Sequence, residues 1–359
     1  MIYKNIFKDK KIIVTGHTGF KGSWLTLWLV KLGAKVIGIS KNNFKEQELF
    51  RNYKNKNLNH LKLNIQNGKK LKKFIIRIKP DFIFHLAAQA LVKISYEKPE
   101  ETYLSNSVGT LNLLESVRNL NKNCSVVLIT SDKVYRNFEI KRGYSENDVL
   151  GGDDPYSASK ACAELIINSH IKSYFKNKKV KISVARAGNV IGGGDWSPFR
   201  LVPDCIKSWK KNKSITIRNP HSTRPWQHVL DALNGYLKLA FYLKKNKKLH
   251  GQCFNFGPNN KSSKSVIELV YEIKKNWKNI KWKINKKSQK VKEANLLKLN
   301  SRKSKKLLNW QCILSFPETI KLVIDWYKNH KDKKININEF SFKQIEQYEK
   351  KFNSIKYKI

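Results

Sequence analysis

The sequence predicts an α/β protein organised around a doubly wound parallel sheet, with a smaller mixed α/β domain formed by later segments. In the first half, five apolar runs of strand length alternate with helix patterns, which favours parallel strands joined by right-handed crossovers. The first run also ends in a glycine-rich turn, KIIVTGHTGFKG at residues 11–22. After Gly188 the pattern changes to shorter elements, which indicates a second unit.

The first strand, turn and helix form the unit around which the chain is organised. An apolar strand at Ile12–Val14 precedes the glycines, and a helix is predicted from Ser23 to about Leu32. Glycine permits a tight turn and the close approach of phosphate oxygens, and a helix N-terminus offers unpaired N–H groups. The succession of strand, glycine turn and helix favours a site that binds the diphosphate of a dinucleotide. An ordinary strand-to-helix turn is the alternative. The glycines are Gly16, Gly19 and Gly22.

The following elements continue the alternation up to residue 185. Residues 41–60 are polar and predict a loop, and residues 136–154 predict a glycine-containing insertion. The predicted strands are Val36–Ile39, Leu61–Ile65, Phe82–Leu86, Ser125–Thr130 and Val180–Ala185. The predicted helices are Lys69–Ile78, Glu100–Val117 and a segment from Tyr156 to before Lys176.

The later segments predict the smaller domain. Residues 189–196, NVIGGGDW, contain three consecutive glycines in a loop. We expect a dinucleotide-binding domain at residues 1–188, rejoined by 221–258, a substrate-binding domain at 189–220 and 259–345, and a charged tail at 346–359. The predicted elements are helices at Phe199–Lys210, Trp226–Leu243 and Val266–Trp277, with strands at Ser214–Ile217 and Cys253–Phe256.

Composition restricts the class of protein. The chain has 359 residues and is 40% hydrophobic, and its apolar runs are too short to cross a membrane. No apolar signal segment precedes Lys11, so we expect a cytoplasmic protein. The five cysteines are scattered and lack C-x-x-C spacing, which favours reduced thiols over disulfides or a zinc site. No metal site is expected, because His17, His85 and His228 do not have metal-ligand spacing.

The formal net charge of +45 raises the alternative of a basic, non-catalytic nucleic-acid-binding protein. The lysines, however, are distributed over the whole chain and accompany many asparagines and isoleucines. We therefore expect no nucleic-acid partner, although the charge would also attract a phosphorylated small substrate.

Tyr156 and Lys160 form a Y-x-x-x-K pair on one face of a predicted helix. A nearby lysine stabilises a phenolate, which would allow Tyr156 to act as a base near neutral pH. The pair follows a strand that ends at Thr130 and Ser131, where a hydroxyl could share the substrate proton. A solvated helix face remains the alternative for the pair taken alone.

These motifs together are similar to the extended short-chain dehydrogenase/reductases, which have a Rossmann sheet. The similarity includes TGHTGFKG (15–22), HLAAQ (85–89), NSVGT (106–110) and YSASK (156–160). The match is closer still to the CDP-glucose 4,6-dehydratase subfamily and extends from about residue 10 to about 348. The most specific stretches are TSDKVY (130–135), RAGNVIGGGDW (186–196) and IRNPHSTRPWQHVLD (217–231).

The resemblance implies a dehydration that begins with oxidation of the sugar at C4. Tyr156, with Lys160 and Ser131, would remove the C4 hydroxyl proton while NAD accepts hydride. Lys133 would remove the C5 proton, a role that requires a neutral amine. Asp132 would be protonated and would assist departure of the C6 hydroxyl as water. The product would be a CDP-4-keto-6-deoxy-glucose used for dideoxysugars of surface polysaccharide.

The resemblance also implies the binding residues. Cofactor contacts fall on Gly16, Thr18, Gly19, Phe20, Lys21, Asn64, Ile65, Leu86, Ala87, Ala88, Asn106, Tyr156 and Lys160. Substrate contacts fall on Asn189, Trp196, Arg200, Arg218 and Arg224, with Trp196 either stacking on the pyrimidine or packing the loop. The partners implied are a nucleotide sugar, CDP-glucose, and a second copy of the chain in a homodimer or homotetramer.

Three alternatives stay open at this point. Ser40 and Lys41 stand where an acidic residue usually binds the ribose, so NAD and NADP are not distinguished. A nucleotide-sugar 4-epimerase, or a dehydratase acting on another nucleotide sugar, would use much of the same machinery. Asn64, Val134 and Arg136 depart from the family pattern, and the last two leave the geometry of the loop beside Lys133 open.

Overall fold

The structure is a computed structural model that describes residues 3–42, 48–50, 53–217, 219–258, 263–277, 280–284, 296–332 and 334–356. The strands are β1 (Lys11–Thr15), β2 (Lys35–Ser40), β3 (Leu58–Lys62), β4 (Phe82–His85), β5 (Cys124–Ile129), β6 (Val180–Ala187), β7 (Val190–Ile191), β8 (Ile215–Ile217), β9 (Thr223–Arg224), β10 (Gln227–His228), β11 (Cys253–Phe256), β12 (Lys264–Ser265) and β13 (Trp282–Ile284).

The helices alternate with these strands. They are α1 (Lys4–Phe7), α2 (Phe20–Lys31), α3 (Gly68–Ile78), α4 (Val92–Glu97), α5 (Pro99–Tyr103), α6 (Gly109–Arg118), α7 (Pro155–His170), α8 (Leu201–Lys210), α9 (Val229–Lys245), α10 (Val266–Asn276), α11 (Arg302–Leu308), α12 (Phe316–Lys331) and α13 (Ile337–Lys356). The π-helical segments Leu104–Val108 and Ile171–Phe175 adjoin α5 and α7, and a 3-10 turn, Asp132–Val134, follows β5.

Seven strands form one sheet in the order β11-β6-β5-β4-β1-β2-β3, and each neighbouring pair is parallel. The predicted doubly wound parallel sheet is therefore confirmed. The strand order reverses between β1 and β4, and open α/β sheets bind ligands outside the carboxyl ends of strands at such a point. Thr15 pairs with His85, so the glycine turn after β1 lies beside the segment that follows β4.

Both faces of the sheet are covered by helices. Ile12 and Val14 belong to one buried cluster, which includes α2 and α9, whereas Ile13 belongs to the opposite cluster, which includes α3 and α6. This alternation follows from the two-residue period of a strand. Because both faces are buried, the central strands read as continuous apolar runs, which is why β1 and β5 are evident from sequence.

The later segments form three small sheets of two strands each, β7 with β10, β8 with β13 and β9 with β12. β11 instead returns to the edge of the large sheet beside β6. The expected division into domains stays a prediction.

Some elements differ from the sequence predictions. The third strand is Leu58–Lys62, three residues earlier than the predicted Leu61–Ile65, so the predicted polar loop ends sooner. This strand pairs only with β2, and its half-exposed side chains give weak alternation. Residues 346–356, expected as a charged tail, belong to α13, and Tyr348 of this helix is only 1% exposed.

Two further features concern the chain as a whole. Within the residues that the structure describes, no helix combines the length and apolarity needed to cross a membrane. All five cysteines are free thiols.

Asp231 joins α9 to the C-terminal helix. Its Oδ1 accepts hydrogen bonds from the Tyr348 hydroxyl at 2.8 Å and from the Ile313 amide at 2.9 Å. Its Oδ2 has no hydrogen-bond partner among the described residues. Burial raises the pKa of the carboxyl to about 7, against the opposing effects of the Ile313 and Tyr348 hydrogen bonds.

This raised pKa predicts how stability changes with pH. The protonated carboxyl is favoured in the folded state, so its contribution is complete below the ordinary pKa near 3.8 and is lost as pH rises through about 7. We expect Asp231→Asn to remove this dependence and to raise the free energy of unfolding above pH 7 by on the order of a few kcal/mol. Urea unfolding at several pH values measures the difference, and parallel profiles of variant and parent would contradict it.

Candidate active site

The glycine turn has the shape of a phosphate cradle. Gly16 has a φ of +70°, and a Cβ on it would lie 2.7 Å from the Ala87 amide nitrogen. A Cβ on Gly22 would lie 2.1 Å from the Gly16 carbonyl oxygen. The N-cap of α2 is Gly19, which has no side chain to satisfy the first helical N–H groups. These amides and the close packing of the turn fit a dinucleotide diphosphate.

Four other predicted cofactor residues lie on loops next to this cradle. Leu86, Ala87 and Ala88 follow β4, and the Ala87 amide donates to Thr15 Oγ1 at 3.2 Å. Thr18 shares a hydrogen bond of 2.6 Å with Ser40 at the end of β2. Small residues and short polar contacts therefore surround the carboxyl ends of β1, β2 and β4.

The remaining predicted cofactor residues differ in accessibility. Ile65 is 5% exposed and packs in the core next to Gly109, so its side chain does not line the cradle. Asn64 is exposed and accepts a hydrogen bond from the Gln66 amide at 3.1 Å. Asn106 is buried and donates to Gln89 O at 3.0 Å and to Ser159 Oγ at 2.9 Å. Asn106 therefore joins the loop after β4 to α7.

The predicted catalytic residues Ser131, Asp132 and Lys133 lie on a 3-10 turn directly after β5, which we call the catalytic turn (residues 131–134). Ser131 Oγ accepts from the Lys133 amide at 3.2 Å and donates to Asp132 Oδ1 at 3.0 Å. Ser131 also lies close enough to the Tyr156 hydroxyl to lower its pKa. The turn and the N-terminal part of α7 therefore meet at one place.

Asp132 has the environment of a protonated acid. Its side chain is 2% exposed, and its Oδ2 has no hydrogen-bond partner among the described residues. Gly188 leaves the space for this oxygen, since a Cβ there would lie 2.1 Å from Oδ2. Burial raises the pKa of Asp132, and this effect is opposed by Lys133, Ser131 and two more distant cations, Lys21 and Arg224.

Tyr156 and Lys160 are placed by the start of α7. Asp154 caps this helix by accepting from the Ser157 amide at 3.0 Å. The pKa of Lys160 is lowered to about 7 by burial and by the charge of Lys21, against the opposing effect of Glu164. The Lys160 ammonium donates to the carbonyl oxygen of Ile129 at 3.4 Å.

The electrostatics of Tyr156 differ from the sequence expectation. Burial raises the pKa of its hydroxyl, and the groups that lower it are Ser131 and Arg200. Lys160 makes its hydrogen bond to the β5 backbone instead. The groups that lower the pKa of Tyr156 are therefore Ser131, which the sequence analysis also placed beside it, and Arg200, which it assigned to the substrate.

Lys21, which the sequence analysis assigned to the cofactor, lies beside Tyr236. The sequence analysis did not assign Tyr236 to the site. Lys21 Nζ donates to the Tyr236 hydroxyl at 3.5 Å. The pKa of Lys21 is lowered to about 8 in total. Burial and the charge of Arg200 lower it, and Asp132 and Asp195 oppose them. Tyr236 lies within an apolar helix pattern that predicted only core packing, and no local signal distinguishes its hydroxyl.

The predicted substrate residues have different hydrogen-bond partners in the structure. Arg200 donates to Asp195 Oδ2 at 2.8 Å, and Arg224 donates to the Thr223 carbonyl oxygen at 2.9 Å. The carbonyl oxygen of Asn189 accepts from the Gln227 amide at 3.2 Å. Arg218 lies outside the described residues.

Trp196 is enclosed by other side chains. Its ring meets Tyr327 edge-on at 5.1 Å between centroids, and the Lys210 ammonium lies 4.7 Å from the ring centroid. His330 lies 5.3 Å from the same ring. Of the two roles expected for Trp196, these contacts favour packing of the loop.

The histidines have structural partners. His85 shares a hydrogen bond of 2.8 Å with Thr15 Oγ1, and His17 shares one of 2.9 Å with His60. His228 accepts from the Leu230 amide at the start of α9. Among the residues described, no group of three or more His, Cys, Asp or Glu side chains is arranged to hold a metal ion.

Comparisons with known proteins agree with this fold. A sequence model of the family described as GDP-mannose 4,6 dehydratase matches residues 13–323. The chain is 41% identical over 335 residues to a CDP-glucose 4,6-dehydratase of Salmonella typhimurium, covering 91% of this chain and 93% of that protein.

Two solved structures share the fold at lower identity. An epimerase from Methanothermobacter thermautotrophicus superimposes with a TM-score of 0.82 at 24% identity and covers 92% of this chain and 96% of its own. A dTDP-glucose 4,6-dehydratase from Bacillus anthracis, solved in complex with NAD, gives 0.72 at 24% identity, covering 90% and 97%.

Proposed function

Because the chain belongs to the GDP-mannose 4,6 dehydratase family, matching its model over residues 13–323, we propose that it is an NAD-dependent nucleotide-sugar 4,6-dehydratase acting on CDP-glucose. The observation that carries the proposal is the catalytic turn, where a buried acid, Asp132, and a lysine, Lys133, follow the serine that contacts Tyr156. The 41% identity to a CDP-glucose 4,6-dehydratase supports the choice of sugar nucleotide.

The cofactor site fits NAD. The Gly16 turn and the uncapped α2 N-terminus would hold the diphosphate, and the small residues Ala87 and Ala88 would lie against the rings. When bound, NAD supplies the acceptor for the C4 hydride and the donor that later reduces C6. Ser40, bonded to Thr18, would bind the ribose hydroxyls in place of the usual carboxylate.

The first step requires removal of the C4 hydroxyl proton. Tyr156 is the base in this proposal, and Ser131 supports it by lowering its pKa. The positive charge of Arg200 lowers the pKa of the tyrosine and opposes the effect of burial. Lys160, whose pKa is about 7, would supply further positive charge when protonated.

The second step is elimination of water across C5 and C6. A ketone at C4 acidifies the C5 hydrogen, and Lys133 is the base that removes it. Asp132 gives its proton to the departing C6 hydroxyl, a role that suits a carboxyl with a raised pKa and an open Oδ2. Asp132 and Lys133 are neighbours in sequence. One turn therefore supplies both the base for C5 and the acid for the C6 hydroxyl.

The nucleotide is held by positive charge in this proposal. Arg224 suits the diphosphate, because a guanidinium can bind two oxygens at once, and it lies close enough to Asp132 to affect its pKa. Arg200, Arg218 and Asn189 complete the substrate set, and Trp196 shapes the loop. The reaction would take place in the cytoplasm, where free cysteines persist, and would feed deoxysugar synthesis for surface polysaccharide.

A nucleotide-sugar 4-epimerase is the second candidate, because an epimerase shares the fold at a TM-score of 0.82. An epimerase needs Tyr156 and the cofactor but no acid and base for elimination. The Asp132–Lys133 pair favours dehydration. A nucleic-acid binder would have no use for the buried acid.

The test is incubation of the purified protein with CDP-glucose, dTDP-glucose and UDP-glucose, followed by mass spectrometry. We expect loss of one water from CDP-glucose with no net consumption of cofactor. An unchanged mass with all three sugars would contradict the dehydratase proposal. Proton NMR of the recovered sugar would then distinguish an epimer from untouched substrate.

We also propose that the protein forms a homodimer through α6 and α7 and the segments that adjoin them. Several large apolar side chains are exposed on these elements, and Leu165 on α7 is 60% exposed. Leu165→Glu should therefore shift the mass in solution from dimer to monomer, as measured by light scattering. Leu307→Glu on α11, at a residue 45% exposed, is the matched control, and an equal effect of both would contradict this interface. Besides Leu165, the exposed large apolar side chains on α7 and the segments that adjoin α6 and α7 are Tyr103, Leu104, Val108 and Tyr174.

A further inference from the structure

A buried ion pair lies behind the catalytic turn. Arg186 on β6 and Glu164 on α7 have side chains that are each 2% exposed. Arg186 Nε donates to both oxygens of Glu164, at 2.8 and 3.1 Å, and Arg186 Nη2 also donates to Glu164 Oε2. The mechanism above gives neither residue a chemical role, although the charge of Glu164 raises the pKa of Lys160.

The pair holds both ends of the catalytic turn. Thr130, directly before it, donates its hydroxyl to Glu164 Oε1 at 2.6 Å. Tyr135, directly after it, accepts from Arg186 Nη1 at 2.6 Å. The Arg186 guanidinium also lies 4.8 Å from the centroid of the Tyr135 ring. Entry to and exit from the turn are therefore fixed to the same pair.

The exit is anchored on its other side as well. The Tyr135 hydroxyl donates to Asn255 Oδ1 at 2.7 Å, which ties it to β11 at the edge of the large sheet. Its ring stacks on Tyr144 at 5.0 Å with an interplanar angle of 18°. The Tyr135 hydroxyl therefore accepts a hydrogen bond from the buried Arg186 and donates one to the side chain of Asn255 on β11.

Stability alone does not account for such an arrangement. A buried ion pair costs desolvation energy, and apolar replacements of both partners are often neutral or stabilising. A fully satisfied polar network does, however, impose one geometry on the groups that it contacts. The geometry imposed here is that of residues 131–134, since the network bonds to the residues on either side of them.

We propose that Arg186, Glu164 and Tyr135 are positioning residues that set the catalytic turn for elimination. This inference rests on the proposed dehydratase function. Tyr156 is placed separately, by the cap and first turns of α7, so it does not depend on the exit of the turn. Loosening the exit should move Asp132 and Lys133 relative to C5 and C6 while leaving removal of the C4 proton largely intact.

The test separates the two chemical steps. CDP-glucose is mixed with excess protein, quenched at intervals and analysed by mass spectrometry for the 4-keto hexose and for the dehydrated product. Tyr135→Phe keeps the ring and removes the hydroxyl. We expect its dehydration rate to fall between about 10- and 100-fold, with an unchanged KM and accumulation of the 4-keto hexose.

Two further variants make the test decisive. Tyr96→Phe is the control, because it removes a hydroxyl from a residue that is 56% exposed, and it should behave as the parent does. Arg186→Met combined with Glu164→Leu removes the pair without leaving a buried charge, so it should fold. Because Glu164 also raises the pKa of Lys160, this variant reports on the dehydration step, which should slow as in Tyr135→Phe.

The outcomes distinguish this inference from the function on which it rests. No dehydrated product from the parent protein contradicts the dehydratase itself. An active parent whose Tyr135→Phe and double variants match it in both steps contradicts only the positioning role. An equal fall in both steps would show a general structural effect and would also overturn the inference.

Discussion

Lys133→Met should stop dehydration while sparing oxidation at C4. Methionine has nearly the same length as lysine and carries no amine, so the C5 proton loses its base. Because general base catalysis contributes about 10²- to 10⁴-fold, we expect product formation to fall by about that factor. The ketone formed by Tyr156 should then accumulate, and quenched samples should contain a hexose two hydrogens lighter than the substrate.

A matched control tests whether any nearby lysine would have this effect. Lys141 is exposed on the insertion that follows the turn, and Lys141→Met should leave both steps unchanged. If Lys133→Met retained most of the parent's dehydration rate, the amine would not be the base. If instead the ketone failed to appear, Lys133 would be acting on the first step. Either result would change the assignment of the turn.

Tyr156→Phe should abolish both the ketone and the dehydrated product. In the proposed mechanism the hydroxyl removes the C4 proton, and without it no ketone forms to acidify C5. We expect a fall of about 10²- to 10⁴-fold in both signals together, whereas Lys133→Met separates them. Tyr156 is only 8% exposed, and a phenyl ring should fill the same space. The midpoint of thermal unfolding should therefore change little.

The control for the tyrosine is Tyr96→Phe, which removes a hydroxyl from a residue 56% exposed. It should leave the rate unchanged. Ketone formation by Tyr156→Phe at the parent's rate would contradict the assigned base. The measurement is the same quenched time course, so the variants can be compared directly.

The sequence predicts the centre of this fold well because its strands are buried on both faces. β1 contains the buried apolar run Ile12–Val14, and β5 contains the buried apolar run Val126–Ile129. The edge strand β3 was placed three residues late, because Asn59 and His60 interrupt its apolar pattern. A strand with one neighbour carries a weaker signal in its side chains.

The C-terminal helices were largely missed. Polar and charged residues outnumber apolar residues in both α11 and α13, so their apolar faces are hard to recognise before the core is known. α12 did carry a readable signal, the capping box in which Ser315 and Glu318 bond to each other's backbone amides. A serine followed three residues later by glutamate would have predicted its start.

The site divides in the same way. Contiguous motifs identify the catalytic turn and Tyr156, because the residues lie close together in the chain. Gly188 gives no indication in the sequence that it makes room for Asp132 Oδ2, and Tyr236 reads as core. These contacts join residues far apart in the chain, so only the folded structure reveals them.

The hydrogen bonds around Asp231 also determine when the protein can finish folding during synthesis. The Tyr3 hydroxyl donates to Asn234 at 2.6 Å, and Asn234 donates to Tyr348, which donates to Asp231. Residues 3 and 348 thus share one buried network although they lie far apart in the chain. Domains generally fold as units during translation. Here the partners of Asn234 stay incomplete until residue 348 has been synthesised, so this network forms late.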